Sequence, residues 1–364
     1  MHISELETPT LLIDLDRMER NLDRAAAYCA QHNLRMRPHT KTHKTPEIGR
    51  MQLDRGAVGL TVAKVGEAEV MTASGTNDLL VAYPILGESK LARLMKVAQD
   101  VTVTMALDSS EALQQLSAAA SKAGVTIGVL VEANVGQNRC GLEPGPALVA
   151  LAREVERLPG VELAGVQFYA GHIWLTRPDG PALFAESNRK VQQIREDFRR
   201  EGIEIKILSG GSTPLIFHSH ETEGMNEIRP GTYIFNDLSE VAAGAATLDD
   251  CAVTIMATVM STPRPGHALI DGGSKTFTSD GIPWSEDKTF GLVTEAPSAR
   301  LYSLNEEHGY LDVSKAEREL KVGDRVRVIP NHVCVTVNMQ EKVYGIRGET
   351  VEHEWVVAAR GKLR

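Results

Sequence analysis

The stretch Pro38-His39-Thr40-Lys41-Thr42-His43-Lys44 decides how the rest of this 364-residue chain is read. It follows a short alternating run, Leu34-Arg35-Met36-Arg37, and precedes a helix-like segment from Thr45 to Arg55. Two lysines and two histidines therefore stand just beyond a predicted strand. A basic cluster on a loop has a plain reading as solvated surface. Its sharper reading is a lysine that forms a Schiff base, held at the carboxyl end of a barrel strand, where catalytic residues of parallel α/β folds gather.

Outward from this stretch, strand-like and helix-like segments alternate. Strands are predicted at Leu34–Pro38, Ala57–Val62, Asp78–Tyr83, Val101–Ala106, Thr126–Glu132, Glu162–Tyr169, Glu204–Ser209 and Asn226–Ile234. Helices are predicted between most of them, for example at Val65–Ala73, Ser89–Ala98, Ser110–Ala123, Ala147–Arg157 and Ala182–Glu201. About eight βα units in about 220 residues is the pattern of a TIM-type (β/α)8 barrel. An open doubly wound sheet shares the alternation. Before the barrel, Thr8–Asp14 reads as a strand, and Asp16 as the cap of a helix carrying Met18, Leu22, Ala26 and Cys29 on one face. Beyond about Asp249 short strand-like runs separated by turn residues predominate, which predicts a second, mostly antiparallel β domain. The expected division is a barrel over residues 16–240 and a β domain made of 1–15 plus 241–364.

Composition excludes several classes. The formal charge of −9 argues against a nucleic-acid surface. No apolar run approaches the ~20 residues that span a bilayer. The first residues lack a basic segment followed by an apolar one, so neither a signal peptide nor a membrane partner is expected, and a cytoplasmic location is. Cys29, Cys140, Cys251 and Cys334 are widely spaced and read as reduced thiols.

Two glycine-rich stretches follow the seventh and eighth predicted barrel strands: Ser209-Gly210-Gly211-Ser212-Thr213-Pro214 and Arg229-Pro230-Gly231-Thr232-Tyr233. Small residues let backbone N–H groups approach an anion, hydroxyls add donors, and barrels recurrently bind phosphate at these two loops. Gly211, Ser212, Thr213, Gly231, Thr232 and Tyr233 are thus candidate phosphate-cup residues. Neither stretch fits a P-loop. A phosphate site opposite a lysine points to pyridoxal 5′-phosphate (PLP). Arg139, beyond the fifth strand, is a candidate for the cofactor ring or its phenolic oxygen. Tyr169 and His172, at the end of the sixth, are candidates for packing on the cofactor and handling protons. In the C-terminal part, His332 and Cys334 stand at i, i+2 on what reads as a strand, on one face. Imidazole plus thiolate suits a divalent ion such as Zn²⁺; a half-buried histidine beside a buried cysteine is the plain alternative. Asp271–Lys275 and Glu306–Gly309 read as an active-site edge or as ordinary turns.

Together these blocks resemble the D-threonine aldolase / D-serine dehydratase family of fold-type III PLP enzymes, whose N-terminal domain is alanine-racemase-like. The resemblance runs nearly end to end: TPTLLIDLD, RPHTKTHK, VGQNRCG, GVQFYAGH, SGGST, EIRPGTYIFND, DGGSK, NEEHG, PNHVC and WVVAARG. It implies that Lys41, not Lys44, is the PLP lysine. It further implies that His332 and Cys334 hold a divalent metal (Zn, Mn or Mg) and that the chain pairs as a homodimer. The implied activity is cleavage of small-molecule 3-hydroxy-D-amino acids to glycine and an aldehyde, or β-elimination to a 2-oxo acid and ammonia. Cys334 leans toward the dehydratases, which carry Cys where aldolases often carry Asp; VGQNRCG, NEEHG and WVVAARG lean toward the aldolases. A non-catalytic PLP-binding barrel is a third reading, disfavoured by the length of chain beyond the barrel. A racemase is another, but no residue stands out as its second base.

Overall fold

The computed structural model describes all 364 residues, which divide into two compact units: Arg24–Gly231 with Gly361–Arg364, and Met1–Asp23 with Thr232–Arg360. The first strand, β1 (Thr10–Asp14), belongs to the second unit, and helix α1 (Leu15–Gln31) carries the chain from it into the barrel unit. The helix start is fixed by the Asp14 carboxylate, which accepts from Arg17 N at 3.0 Å, so the cap is Asp14 rather than the expected Asp16. Its buried face carries Met18, Leu22, Ala25 and Cys29; Ala25 replaces the expected Ala26.

In the barrel unit eight parallel strands run in the order β2 (Arg35–Met36), β3 (Leu60–Val62), β4 (Asp78–Val81), β5 (Thr102–Leu107), β6 (Ile127–Ala133), β7 (Val161–Phe168), β8 (Ile207–Gly210) and β9 (Glu227–Ile228). β9 pairs with both β8 and β2, and a bridge between His39 and Thr61 closes the ring at the β2/β3 seam. Helices cover the outside: α2 (Pro46–Leu53), α3 (Val65–Met71), α4 (Glu88–Asp100), α5 (Ser110–Ala123), α6 (Pro146–Arg157) and α7 (Gly180–Arg200). Their ends follow local chemistry. Ser109 caps α5, Gly124 ends it at φ 67°, and Pro146 opens α6. β6 is buried at every position, as a strand covered on both faces must be.

The lower barrel interior is polar. Arg37, only 2% exposed, reaches Glu227 Oε2 at 3.0 Å and Asp78 Oδ1 at 2.8 Å. Glu227 in turn accepts from Ser209 Oγ at 2.8 Å, and Ser209 Oγ accepts from Arg229 Nη1 at 2.5 Å. β2 and β9 have only two ladder residues each, so this ionic column ties the ring where backbone pairing is thinnest.

The other unit holds a nine-stranded sheet in the order β11 (His267–Ile270), β14 (Gly309–Asp312), β13 (Arg300–Leu304), β12 (Gly291–Val293), β15 (Arg325–Pro330), β10 (Val253–Arg264), β1, β16 (Lys342–Arg347) and β17 (Thr350–Val356). All its pairings are antiparallel except β1 with β16. Ile3, Leu6, Leu12, Met256 and Ile346 form one of its apolar clusters. Two helices interrupt the β texture, α8 (Leu238–Ala242) and α9 (Val333–Met339).

The second helix corrects one expectation. His332 and Cys334 do not lie on a strand: β15 stops at Pro330, His332 is the residue before α9, and Cys334 sits in its first turn. The run Val333-Cys334-Val335-Thr336-Val337 has the β-branched texture of a strand. A tertiary cap overrides it, because the buried Asp237 carboxylate accepts from Val333 N at 3.0 Å.

Removing one partner from a buried ion cluster leaves the others unpaired. Arg37→Ala is expected to lower unfolding stability by about 3–5 kcal/mol, read from urea denaturation. A loss under ~1 kcal/mol would mean that the column does not hold the ring.

Candidate active site

The two lysines of the opening stretch meet different fates. Lys44 is 5% exposed, has φ +53°, and its Nζ lies 3.0 Å from Glu67 Oε1. Glu67 also accepts from Ala63 N at 2.7 Å, so this buried pair fastens the loop after β2 to the loop after β3. His43 is equally committed: its ring meets Thr45 and Gln52, and burial pushes its imidazole down to about 4. Lys41 lies between them on a single helical turn, Thr40–Thr42, half-buried, with no carboxylate or hydrogen-bond partner for its ammonium. Its backbone N–H donates to His39 Nδ1 at 3.3 Å. Burial holds the His39 imidazole well below its ordinary value, and the positive charges of Lys41, Arg229 and Arg139 lower it further. Those three cations thus all act on His39, just beyond the C-terminal end of β2.

Arg139 stacks on the ring of Tyr169, 4.6 Å from its centroid. Its loop is shaped by Asn134, whose Oδ1 accepts from Gly136 N at 3.0 Å and Asn138 N at 3.1 Å. His172 is half-buried, and its Nδ1 is buried without a hydrogen-bond partner. Burial, then Lys190, lowers its pKa, so it is a neutral base at physiological pH. A Cβ at Gly136, where φ is +122°, would come within 3.0 Å of His172 Nε2; this glycine lets the loop approach the ring.

The loop after β8 carries Gly211 at φ +79° and the buried Ser212 and Thr213. Ser212 Oγ is buried and lacks any hydrogen-bond partner, an orphaned donor of the kind a phosphate oxygen satisfies. After β9, a Cβ at Gly231 would stand 2.9 Å from Thr42 Oγ1 and 3.1 Å from His39 O, so this glycine admits the Lys41 turn. The residues present therefore fit PLP: an unpaired lysine, an orphaned hydroxyl on a glycine-rich loop and convergent cations.

Thr232 and Tyr233 are buried and begin the β unit, one residue beyond Gly231. There the Thr232 hydroxyl lies 3.9 Å from Cys334 Sγ. His332 Nδ1 pairs with Asp237 Oδ2 at 3.1 Å, so the buried carboxylate orients the ring. Burial alone would lower the His332 pKa; hydrogen bonding and charge from Cys334 and Asp237 reverse this and raise it. An imidazole oriented by a carboxylate, beside a sulfur, fits a divalent cation, with two protein ligands from this chain.

Sequence reasoning missed Asp237, Glu67 and Arg229. Asp237-Leu-Ser-Glu240 carries a helix-cap signal, and Glu240 N does donate to Asp237 Oδ1 at 3.0 Å. Arg229 lies within a quoted block, but nothing local shows that its buried guanidinium spans Ser209 Oγ and, at 2.9 Å, Phe168 O.

Both parts of the chain are similar to known proteins. The model of "Alanine racemase, N-terminal domain" matches residues 13–239, and that of "Putative serine dehydratase domain" matches residues 252–346. D-threonine aldolase of an Arthrobacter species is 32% identical, over 100% of this chain and 95% of that protein. D-threo-3-hydroxyaspartate dehydratase of Delftia sp. strain HT23 is 31% identical, over 91% of this chain and 92% of that protein. The crystal structure of D-threonine aldolase from Filomicrobium marinum superposes with a TM-score of 0.91 at 33% identity, covering 99% of this chain and 97% of that one. With both of its units matched, the chain belongs to the D-threonine aldolase / D-serine dehydratase family of alanine-racemase-like, PLP-dependent lyases.

Proposed function

We propose that the protein cleaves 3-hydroxy-D-amino acids by a retro-aldol reaction, giving glycine and an aldehyde (acetaldehyde from D-threonine). The observation that carries this reading is the unpaired Lys41 ammonium beside a Lys44 locked to Glu67. PLP, when bound, withdraws electrons from the bonds at the substrate Cα. Lys41 would hold the cofactor's aldehyde carbon and, once the substrate's amine has displaced it, would carry a proton at Nζ. Gly211, Ser212, Thr213, Gly231, Thr232 and Tyr233 would hold the phosphate, to which Ser212 Oγ would donate a hydrogen bond. Arg139, backed by Tyr169, serves the phenolic side of the ring. His172 takes the β-hydroxyl proton, for which its lowered pKa keeps it ready. His332 and Cys334 would hold a divalent metal, which lowers the pKa of a bound hydroxyl.

β-Elimination to a 2-oxo acid and ammonia is the second reading, and Cys334 favours it. Incubation with D-threonine separates the two: glycine plus acetaldehyde supports the aldolase, 2-oxobutyrate plus ammonia the dehydratase. Failure to form either kind of product from D-threonine or from any other 3-hydroxy-D-amino acid would contradict both.

Lys41→Ala is expected to lose the cofactor's visible band, near about 420 nm, and all turnover. A retained band would reassign the lysine. EDTA is expected to abolish turnover and Zn²⁺ or Mn²⁺ to restore it, whereas full activity without metal would remove His332 and Cys334 from the reaction. The pH profile follows from His172. Its pKa lies below the ordinary 6.5, so the neutral base persists as pH falls through that value, and kcat/KM should decline only below it. His172→Asn should lower kcat by about 10²–10⁴-fold and erase that acidic limb. An unchanged profile would assign the base elsewhere.

A further inference from the structure

We propose that Lys64 is a specificity residue that receives a second carboxylate on the substrate, so that the preferred substrates are acidic 3-hydroxy-D-amino acids such as 3-hydroxy-D-aspartate; this rests on the lyase reading above. Lys64 stands two residues beyond β3 and Tyr83 two beyond β4, both at the C-terminal rim of the barrel that carries Lys41. Lys64 Nζ lies 3.5 Å from the centroid of the Tyr83 ring, and Tyr83 is 44% exposed. No carboxylate pairs with Lys64.

Other cations of the barrel are already engaged. Arg37 is held by Glu227 and Asp78, Lys44 by Glu67 and Arg177 by Asp179. Arg229 is buried on Ser209 and Phe168. Lys41 and Arg139 are assigned to the cofactor. Lys64 is therefore a rim cation with neither a counter-ion nor a task in the cofactor site.

Its mounting repeats that of Arg139 on Tyr169. In each case the cation comes from the loop after one strand and the ring from just beyond the next strand. An aromatic face fixes a cation's position through its quadrupole without cancelling its charge, as a carboxylate would. The charge stays available to an anion from solution. In a chain of net charge −9 a substrate with a second carboxylate needs such local cations, whereas the methyl group of D-threonine gains nothing from one.

The test uses the holoenzyme and compares kcat/KM for 3-hydroxy-D-aspartate and D-threonine in the wild type, Lys64→Met and Lys64→Arg. The ratio of the two should favour the dicarboxylate in the wild type, fall at least about tenfold in Lys64→Met and largely recover in Lys64→Arg. D-aspartate and D-2-aminobutyrate, which lack the β-hydroxyl, give a binding readout through the cofactor's absorbance. D-aspartate alone should bind about tenfold more weakly to Lys64→Met. A ratio that does not move, or equal losses for both substrates, overturns the assignment, and so does a Lys64→Arg protein that behaves like Lys64→Met. Tyr83→Leu, which keeps the cation but frees it, should lower the ratio in the same direction and would count against the proposal if it left the ratio at the wild-type value. A wild type that cleaves D-threonine but not 3-hydroxy-D-aspartate overturns this inference and leaves the lyase reading standing. Cleavage of neither overturns both.

Discussion

The buried contact of Arg37 with Glu227 and Asp78 is the constraint on which the barrel depends. It joins the ends of β2 and β9, the two strands with the least backbone pairing, and these are the strands whose following loops carry Lys41 and Gly231. A ring closed only by two-residue ladders would leave those loops free to splay. A charged column is an expensive way to close a barrel, because desolvation offsets most of the attraction. What it supplies is direction: Glu227 orients Ser209, Ser209 orients Arg229, and the guanidinium of Arg229 is fixed beneath the site. Stability and site geometry here come from the same side chains.

One level outward, the Lys44–Glu67 pair repeats the device. It spends a lysine, two buried charges and a positive φ to hold the turn that presents Lys41. The consequence is chemical. Of two lysines three residues apart, one is consumed by structure and the other is left unpaired. In the β unit Asp237 plays a similar double part, capping α9 through Val333 N and steering the imidazole of His332 through Nδ1. In each case a buried carboxylate chooses which neighbouring group is free to react.

How much of this the sequence reveals follows from the range of each interaction. The alternation of β6 with α6, the span of α5 and the glycines after β8 are local, and they are legible. The motif blocks likewise identify Lys41, Arg139, Tyr169 and His172 as site candidates. What escapes is set by contacts between distant residues. Glu67 lies in a different βα unit from Lys44. Glu227 meets Arg37 only when the ring closes. The helix at Val333–Met339 runs against its own β-branched composition because a carboxylate from a distant turn caps it. β12, β13 and β14 are short and half-buried, which left their alternation too weak to read.

The central claim is this division between a structural and a reactive lysine. Borohydride reduction of the holoenzyme, followed by peptide mass mapping, tests it most directly, since reduction fixes the cofactor irreversibly to the lysine that holds it. The cofactor's mass should be found on Lys41 alone. Finding it on Lys44 would contradict the account, because that result requires the buried pair with Glu67 to be broken in the working enzyme.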